Sequence, residues 1–178
     1  MAVQDGILKH GVQCSPTLLP QGLRMPKRHE PWYMPHHKWH FCYGEPFTRE
    51  TEDKILEMLK PSHIQGLTLL GGEPFEPQNQ KALLLFVKRV RETFPEKDIW
   101  AFSGFTFEEM NTQGHHANCD ETKEILSLID ILVDGKFKIA LKDISLKFRG
   151  SSNQRIIDVK KTLETGIITI WDKLEPGK

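Results

Sequence analysis

The chain has 178 residues and 24 basic against 24 acidic side chains, so its formal net charge is zero. That balance argues against a general nucleic-acid binder, which would carry a basic excess, and three widely spaced cysteines argue against a secreted disulfide framework. The length fits one domain over residues 1–178; no stretch approaches the ~20 apolar residues of a membrane span, and Asp5, Lys9 and His10 interrupt any apolar leader, so a cytoplasmic protein is expected.

Residues 16–42 come first and fit no regular element. They hold Pro16, Pro20, Pro26, Pro31 and Pro35, four histidines and two tryptophans, with no apolar period. A structureless stretch of this length inside a compact domain is anomalous. From Tyr43 onward the pattern is regular. Thr48 is placed to cap a helix over 49–60, with Glu50, Glu52 and Asp53 in its positive first turn and Ile55, Leu56 and Leu59 on its apolar face.

A strand is expected at Leu67–Leu70, then a helix near Gln78–Phe94 closed by Pro95. Asp98–Phe102 reads as the next strand and runs into a second glycine turn, Ser103-Gly104. Residues 107–128 are helical at both ends around a polar loop containing Asn111, Gly114, His115, His116 and Asn118. Ile129–Val133 is a further strand, and Gly166–Trp171 is read as the last. Strands alternating with helices imply parallel βαβ units and an α/β fold with a parallel sheet. Lys136, Lys138, Lys142, Lys147 and Arg149 could form a basic patch, and a solvated face is the reading preferred for them.

The stretch that bears on function is Gly66 to Gln80, where an apolar run ends in Gly71-Gly72-Glu73-Pro74 ahead of a helix. Open α/β sheets bind ligands at the carboxyl ends of their strands, and glycine there lets the backbone approach a ligand closely. A Gly-Gly turn by itself mostly just connects strand to helix. Two later blocks add to it: Asp130-Ile131-Leu132-Val133-Asp134-Gly135-Lys136-Phe137 and Phe148-Arg149-Gly150-Ser151-Ser152-Asn153-Gln154-Arg155. In this order and spacing, from about Tyr43 to Trp171, the three blocks resemble the activating proteins of anaerobic ribonucleotide reductases, in the radical S-adenosylmethionine (SAM) superfamily.

The resemblance implies a small, partial (β/α) barrel. It implies a [4Fe-4S] cluster and SAM as cofactors, and reductive cleavage of SAM to a radical that removes a hydrogen from a glycine of the reductase. The partners it implies are the reductase large subunit, through its glycyl-radical domain, and an electron donor such as flavodoxin or ferredoxin. It also implies SAM contacts at Gly71, Gly72, Glu73 and Pro74; by position at strand ends, Ser103, Gly104 and Asp134 are expected to line the same pocket. Turn capping is the competing role for Asp134, and a surface carboxylate for Glu73. No catalytic residue is assigned, and the task of Arg149 to Asn153 is left open between SAM, the partner and the loop itself.

One element of the pattern is missing. Three thiolates should bind three irons of the cluster, and the family supplies them as Cys-x3-Cys-x2-Cys shortly before the segment that begins here at Gly44. Cys14 and Cys42 are 28 positions apart, and Cys119 lies in the polar loop. No metal ligand is therefore assigned. Gly11-Val12-Gln13-Cys14-Ser15 still resembles the family's first strand. Back-translated and read one nucleotide later, the codons for Gly22 to Pro26 can encode Gly-Cys-x-Cys-Pro, and those for Arg28 to Trp32 can encode Gly-Met-Asn-Pro-Gly. Two compensating frame slips are preferred to a degenerate, cluster-free relative that acts as a binding module. A zinc site at His29, His36, His37, His40 and Cys42 ranks low, because the spacing matches no standard finger. An activator of another glycyl-radical enzyme, such as pyruvate formate-lyase, would differ only in partner.

Overall fold

The structure is a computed structural model that describes residues 47–70 and 72–172, together with the backbone of two short strands, β1 (Ile7–Leu8) and β2 (Gly11–Val12), paired antiparallel. The anomalous segment 16–42, with Cys14, Cys42 and the expected zinc ligands, lies outside the described residues.

Helix α1 (Arg49–Leu59) starts where the sequence predicts it: the Thr48 hydroxyl accepts from the Thr51 N–H at 3.4 Å. Its Ile55 and Leu59 are buried. Glu52 and Asp53 on the same helix hold Arg89 of α2 (Pro77–Thr93), one carboxylate per guanidinium nitrogen, and so fix the two helices together. Between them runs β3 (Gly66–Leu69), and β4 (Asp98–Phe102) follows α2. The 107–128 region has its two expected helical ends, α3 (Phe107–Asn111) and α4 (Thr122–Leu128).

Strands β3, β4 and β5 (Ile131–Asp134) are parallel neighbours, as predicted. Two expectations need correction. The strand expected at Ile129–Val133 begins later, because Ile129 caps α4 and Asp130 turns its side chain onto the neighbouring strand. The last strand is not Gly166–Trp171 but β6 (Arg155–Asp158), which runs antiparallel to β5, so the sheet is not wholly parallel. A parallel return needs a crossover of a dozen or more residues, usually helical. The connection from Asp134 to Arg155 holds only a three-residue 3-10 turn, Ile139–Leu141, and brings the chain back like a long hairpin. Asp158 then caps α5 (Val159–Thr165), and the segment after it makes a single antiparallel bridge, Ile157 to Ile170.

Alternation along the strands sorts the side chains onto two faces. Leu67, Leu69, Ile99, Ala101, Leu132 and Ile157 face the helices and build the main core with Leu59, Leu83, Phe86, Val87, Val90, Ile125 and Leu126. Ile131, Val133 and Ile156 point the other way, where they are buried beneath the partly exposed Trp100, Phe102 and Trp171. No helix among the described residues is long and apolar enough to cross a membrane.

Candidate functional site

Three parallel strands end side by side, and the turns that leave them are bonded to one another. The Ser103 N–H donates to the Val133 carbonyl at 2.9 Å, and the Gly135 N–H donates to the Phe105 carbonyl at 3.2 Å. Every site residue expected from the sequence lies on this edge except Gly71, which is outside the described residues. Gly72 is exposed, with φ 56°, a backbone conformation that L side chains rarely adopt. Pro74 is buried and leads directly to Phe75, which is fully buried in the core.

Glu73, Ser103 and Gly104 form one constellation. The Glu73 carboxylate accepts from the Ser103 hydroxyl at 2.7 Å, the Gly104 N–H at 2.7 Å and the Phe75 N–H at 3.0 Å. Ser103 Oγ in turn accepts from the Phe105 N–H at 3.0 Å. The carboxylate is thus a strut between the first and second glycine turns, with its oxygens directed inward. Burial pushes its pKa up, and the bonds from Ser103, Gly104 and Phe75 offset this only in part. None of the ion pairs formed by the described residues includes Glu73.

Asp134 stands on the same edge but does not touch that constellation. It is fully buried; its Oδ2 accepts from the Phe107 N–H at 2.8 Å at the start of α3, and its Oδ1 from Arg155 Nε at 3.0 Å. The strand register places Arg155 directly opposite it. Arg155 also makes a forked pair with Glu108, at 2.9 and 2.6 Å, and that bond holds the Glu108 pKa down to about 2. The helix-capping role for Asp134 is therefore present in the structure, with an arginine added to it.

Sequence reasoning passed over Arg155 as a partner because the pairing depends on the antiparallel turn of β6. It also passed over Asn79, whose side-chain amide donates to the Glu73 carbonyl at 2.8 Å while its Oδ1 is buried without a partner. An asparagine in the first turn of the helix after Gly-Gly-Glu-Pro was the available signal.

The polar loop packs back on this edge. His116 Nε2 lies 2.6 Å from a Glu76 oxygen, and the Phe105 ring meets His115 edge-on and His116 at a tilt. Among the described residues no group of three or more His, Cys, Asp or Glu side chains could hold a metal ion. The one described thiol, Cys119, sits 3.4 Å from the Thr122 hydroxyl, which is itself bonded to Gln80 and the Ala117 carbonyl. The donor set therefore does not fit a [4Fe-4S] cluster. Three cysteines in the whole chain, at 14, 42 and 119, do not form the closely spaced trio that thiolate ligation on one loop requires.

Comparison with known proteins gives a consistent result. Residues 33–157 match the model of a family described as "4Fe-4S single cluster domain". The chain is 45% identical over 120 residues to the anaerobic ribonucleoside-triphosphate reductase-activating protein of Pasteurella multocida (strain Pm70), covering 66% of this chain and 72% of that one. It is 42% identical over 118 residues to the protein of that name from Escherichia coli (strain K12), covering 65% and 71%. For the one from Enterobacteria phage T4 the identity is 38% over 118 residues, covering 66% and 69%. No solved structure matches the chain significantly. With a sheet edge built from its three glycine-bearing turns and with these relatives, the chain belongs to the family of anaerobic ribonucleoside-triphosphate reductase-activating proteins.

Proposed function

We propose that this protein activates anaerobic ribonucleoside-triphosphate reductase, as the names of its relatives state for them, and that it does so in the cytoplasm. The observation that carries the reading is the identity of 42–45% to these relatives over two thirds of the chain. The finer reading is that of the radical SAM superfamily: SAM cleaved reductively at a [4Fe-4S] cluster to generate a glycyl radical on the reductase large subunit, with flavodoxin or ferredoxin as electron donor. In that reading the sheet is part of a (β/α) barrel within a single domain. Helices cover one face of the strands; among the described residues the other face carries the partly exposed Trp100, Phe102 and Trp171, with Phe148 against them. Sheets of parallel strands are normally covered on both faces, so a ligand or further chain belongs over these aromatics.

Toward SAM the residues fit in part. Gly72 offers exposed backbone, Gly104 is exposed beside it, and Asn79 Oδ1 is an acceptor without a donor. Glu73 and Asp134 serve this site by holding the turns rather than by reaching into solvent. Toward the cluster the residues do not fit, and no step of the reaction is assigned to this sequence's cysteines.

Resequencing the coding DNA across codons 14–44 tests the reading. An insertion and a compensating deletion that restore three close cysteines make the chain an ordinary family activase; about four irons per chain after anaerobic reconstitution would then follow. If the present sequence stands and no iron is retained, the chain is a cluster-free relative that binds the reductase without activating it.

A further inference from the structure

The connection between β5 and β6 is the part of the fold that the site leaves unexplained. It is internally fastened. The Asp143 N–H donates to the Gly150 carbonyl at 3.2 Å, and the Ser152 N–H to the Leu141 carbonyl at 2.9 Å. Gln154 Oε1 accepts from the Gly150 and Ser151 N–H groups at 2.9 and 3.1 Å, while its Nε2 donates to the Gly135 carbonyl at 3.1 Å. Asn153 Nδ2 donates to the Lys136 carbonyl at 2.9 Å. The Arg-Gly-Ser-Ser-Asn-Gln block is thus the clamp at the base of this excursion.

What the clamped loop displays is apolar. Phe137, Ile139, Leu141, Ile144 and Phe148 are all exposed, Ile139 at 75% and Ile144 at 92%. Single exposed apolar side chains are ordinary, but five gathered on one fastened loop point to an interaction surface. Phe148 also holds φ 57°, a strained conformation for a bulky residue, and its ring lies 5.2 Å from that of Trp100. Lys136, Lys138 and Lys142 rise between these residues, exposed and in no ion pair among the described residues, and the only carboxylate in 136–149, Asp143, is bonded to Ser145. The surface is therefore apolar and positive, and it leaves the sheet directly from Asp134-Gly135, beside the site.

We propose that this loop is the docking surface for the protein partner, and that it takes an apolar segment flanked by acidic residues. The proposal rests on the reductase-activating reading and names the surface that reading needs. Apolar anchors in a positive rim give affinity through the buried side chains and orientation through the charges. A partner seated there lies next to the strand-end turns.

The test is anaerobic binding of the full chain to its cognate anaerobic reductase. Ile144→Glu should raise Kd at least about tenfold, and Lys138→Glu with Lys142→Glu should raise it and flatten its salt dependence. Leu85→Glu, 64% exposed on α2, is the control that should change nothing. Thermal melts of all variants should match the parent. A photo-cross-linking side chain in place of Ile144 should capture the reductase.

A parent-like Kd for Ile144→Glu overturns the proposal, as do cross-links from position 144 into this chain's own residues 13–46. Co-sedimentation with anionic vesicles that Ile144→Glu abolishes, with reductase affinity unchanged, makes the surface a membrane contact and overturns it too. If parent and Leu85→Glu alike fail to bind the reductase, the functional reading itself falls, and this proposal with it.

Discussion

The two edges of the sheet each hold a part-buried carboxylate, and the two are neutralised in opposite ways. At the amino edge, Asp130 accepts from the Ile99 N–H at 2.7 Å and from Arg91 at 2.6 Å, and pairs with Lys160. Burial opposes its ionisation, but Lys160, Arg91 and Ile99 together outweigh burial and hold the carboxyl below its ordinary pKa. Arg91 also reaches the carbonyls of Lys97 and Leu128, and the buried Lys97 ammonium donates to the Ile64 carbonyl at 2.6 Å. At the carboxyl edge, Glu73 has only neutral donors, and burial wins. A charge matched by cations is a lock. One met only by dipoles retains an affinity for protons and for cations, the property expected where a ligand is handled.

The largest effect should come from the amino edge. A Cβ on Gly66 would lie 1.9 Å from the Asp98 carbonyl oxygen, with the Asp98 backbone unable to yield without breaking the β3–β4 ladder. Gly66→Ala should therefore cost about 4 kcal/mol or abolish folding, read as the shift in urea midpoint or as loss of soluble protein. Asp130→Asn comes next, at about 2–3 kcal/mol, because Arg91 and Lys160 lose their counter-charge. A cost under about 1 kcal/mol would show that the amino edge is not the lock described.

The pH dependence of the two carboxylates sharpens the contrast, since its sign is opposite. Asp130 has a folded pKa below its ordinary 3.8, so its contribution is full above that value and is lost as pH falls. The deficit of Asp130→Asn should shrink in acid. Glu73 has a folded pKa above its ordinary 4.5, so its contribution is full below that value and declines as pH rises through the folded pKa. Glu73→Gln, which removes the charge and leaves one donor poorly matched, should cost about 1 kcal/mol at acid pH. That cost should shrink toward neutrality. Denaturant titrations of both variants and the parent between about pH 2 and 7, on the order of one unit apart, give the two slopes; slopes of the same sign would remove the distinction between the edges.

How far the sequence carried the reading depended on whether the information was local. The Thr48 cap, the apolar face of α1 and the bounds of β4 lie within single segments, and each was legible. So were the turns after β3, β4 and β5, since glycine after an apolar run needs no partner to be recognised. The direction of β6 was not, because it depends on what the 135–154 connection fails to contain. The pairing of Asp134 with Arg155 follows from that direction, so it was hidden as well. Glu73 was assigned to the first glycine turn, but the inward turn of its carboxylate depends on Ser103 and Gly104, thirty residues away in sequence.

The smallest expected effect belongs to the bridge that spans α3 and β6 on the carboxyl edge. Arg155 joins the buried Asp134 to the half-exposed Glu108, so the outer carboxylate works in near-aqueous surroundings. Glu108→Gln should therefore cost only about 0.5 kcal/mol, although its pKa lies near 2 against an ordinary 4.5. With the folded value depressed, the contribution is present above pH 4.5 and lost as pH falls toward 2. Added salt should weaken it, as it does other exposed pairs. Arg155→Lys sharpens the same point, since a point charge cannot serve both carboxylates with a planar fork. Its cost should exceed that of Glu108→Gln severalfold, because the buried Asp134 then loses part of its partner. Equal costs would mean that Arg155 acts on the outer carboxylate alone, and that the carboxyl edge is held by Glu73 without help from β6.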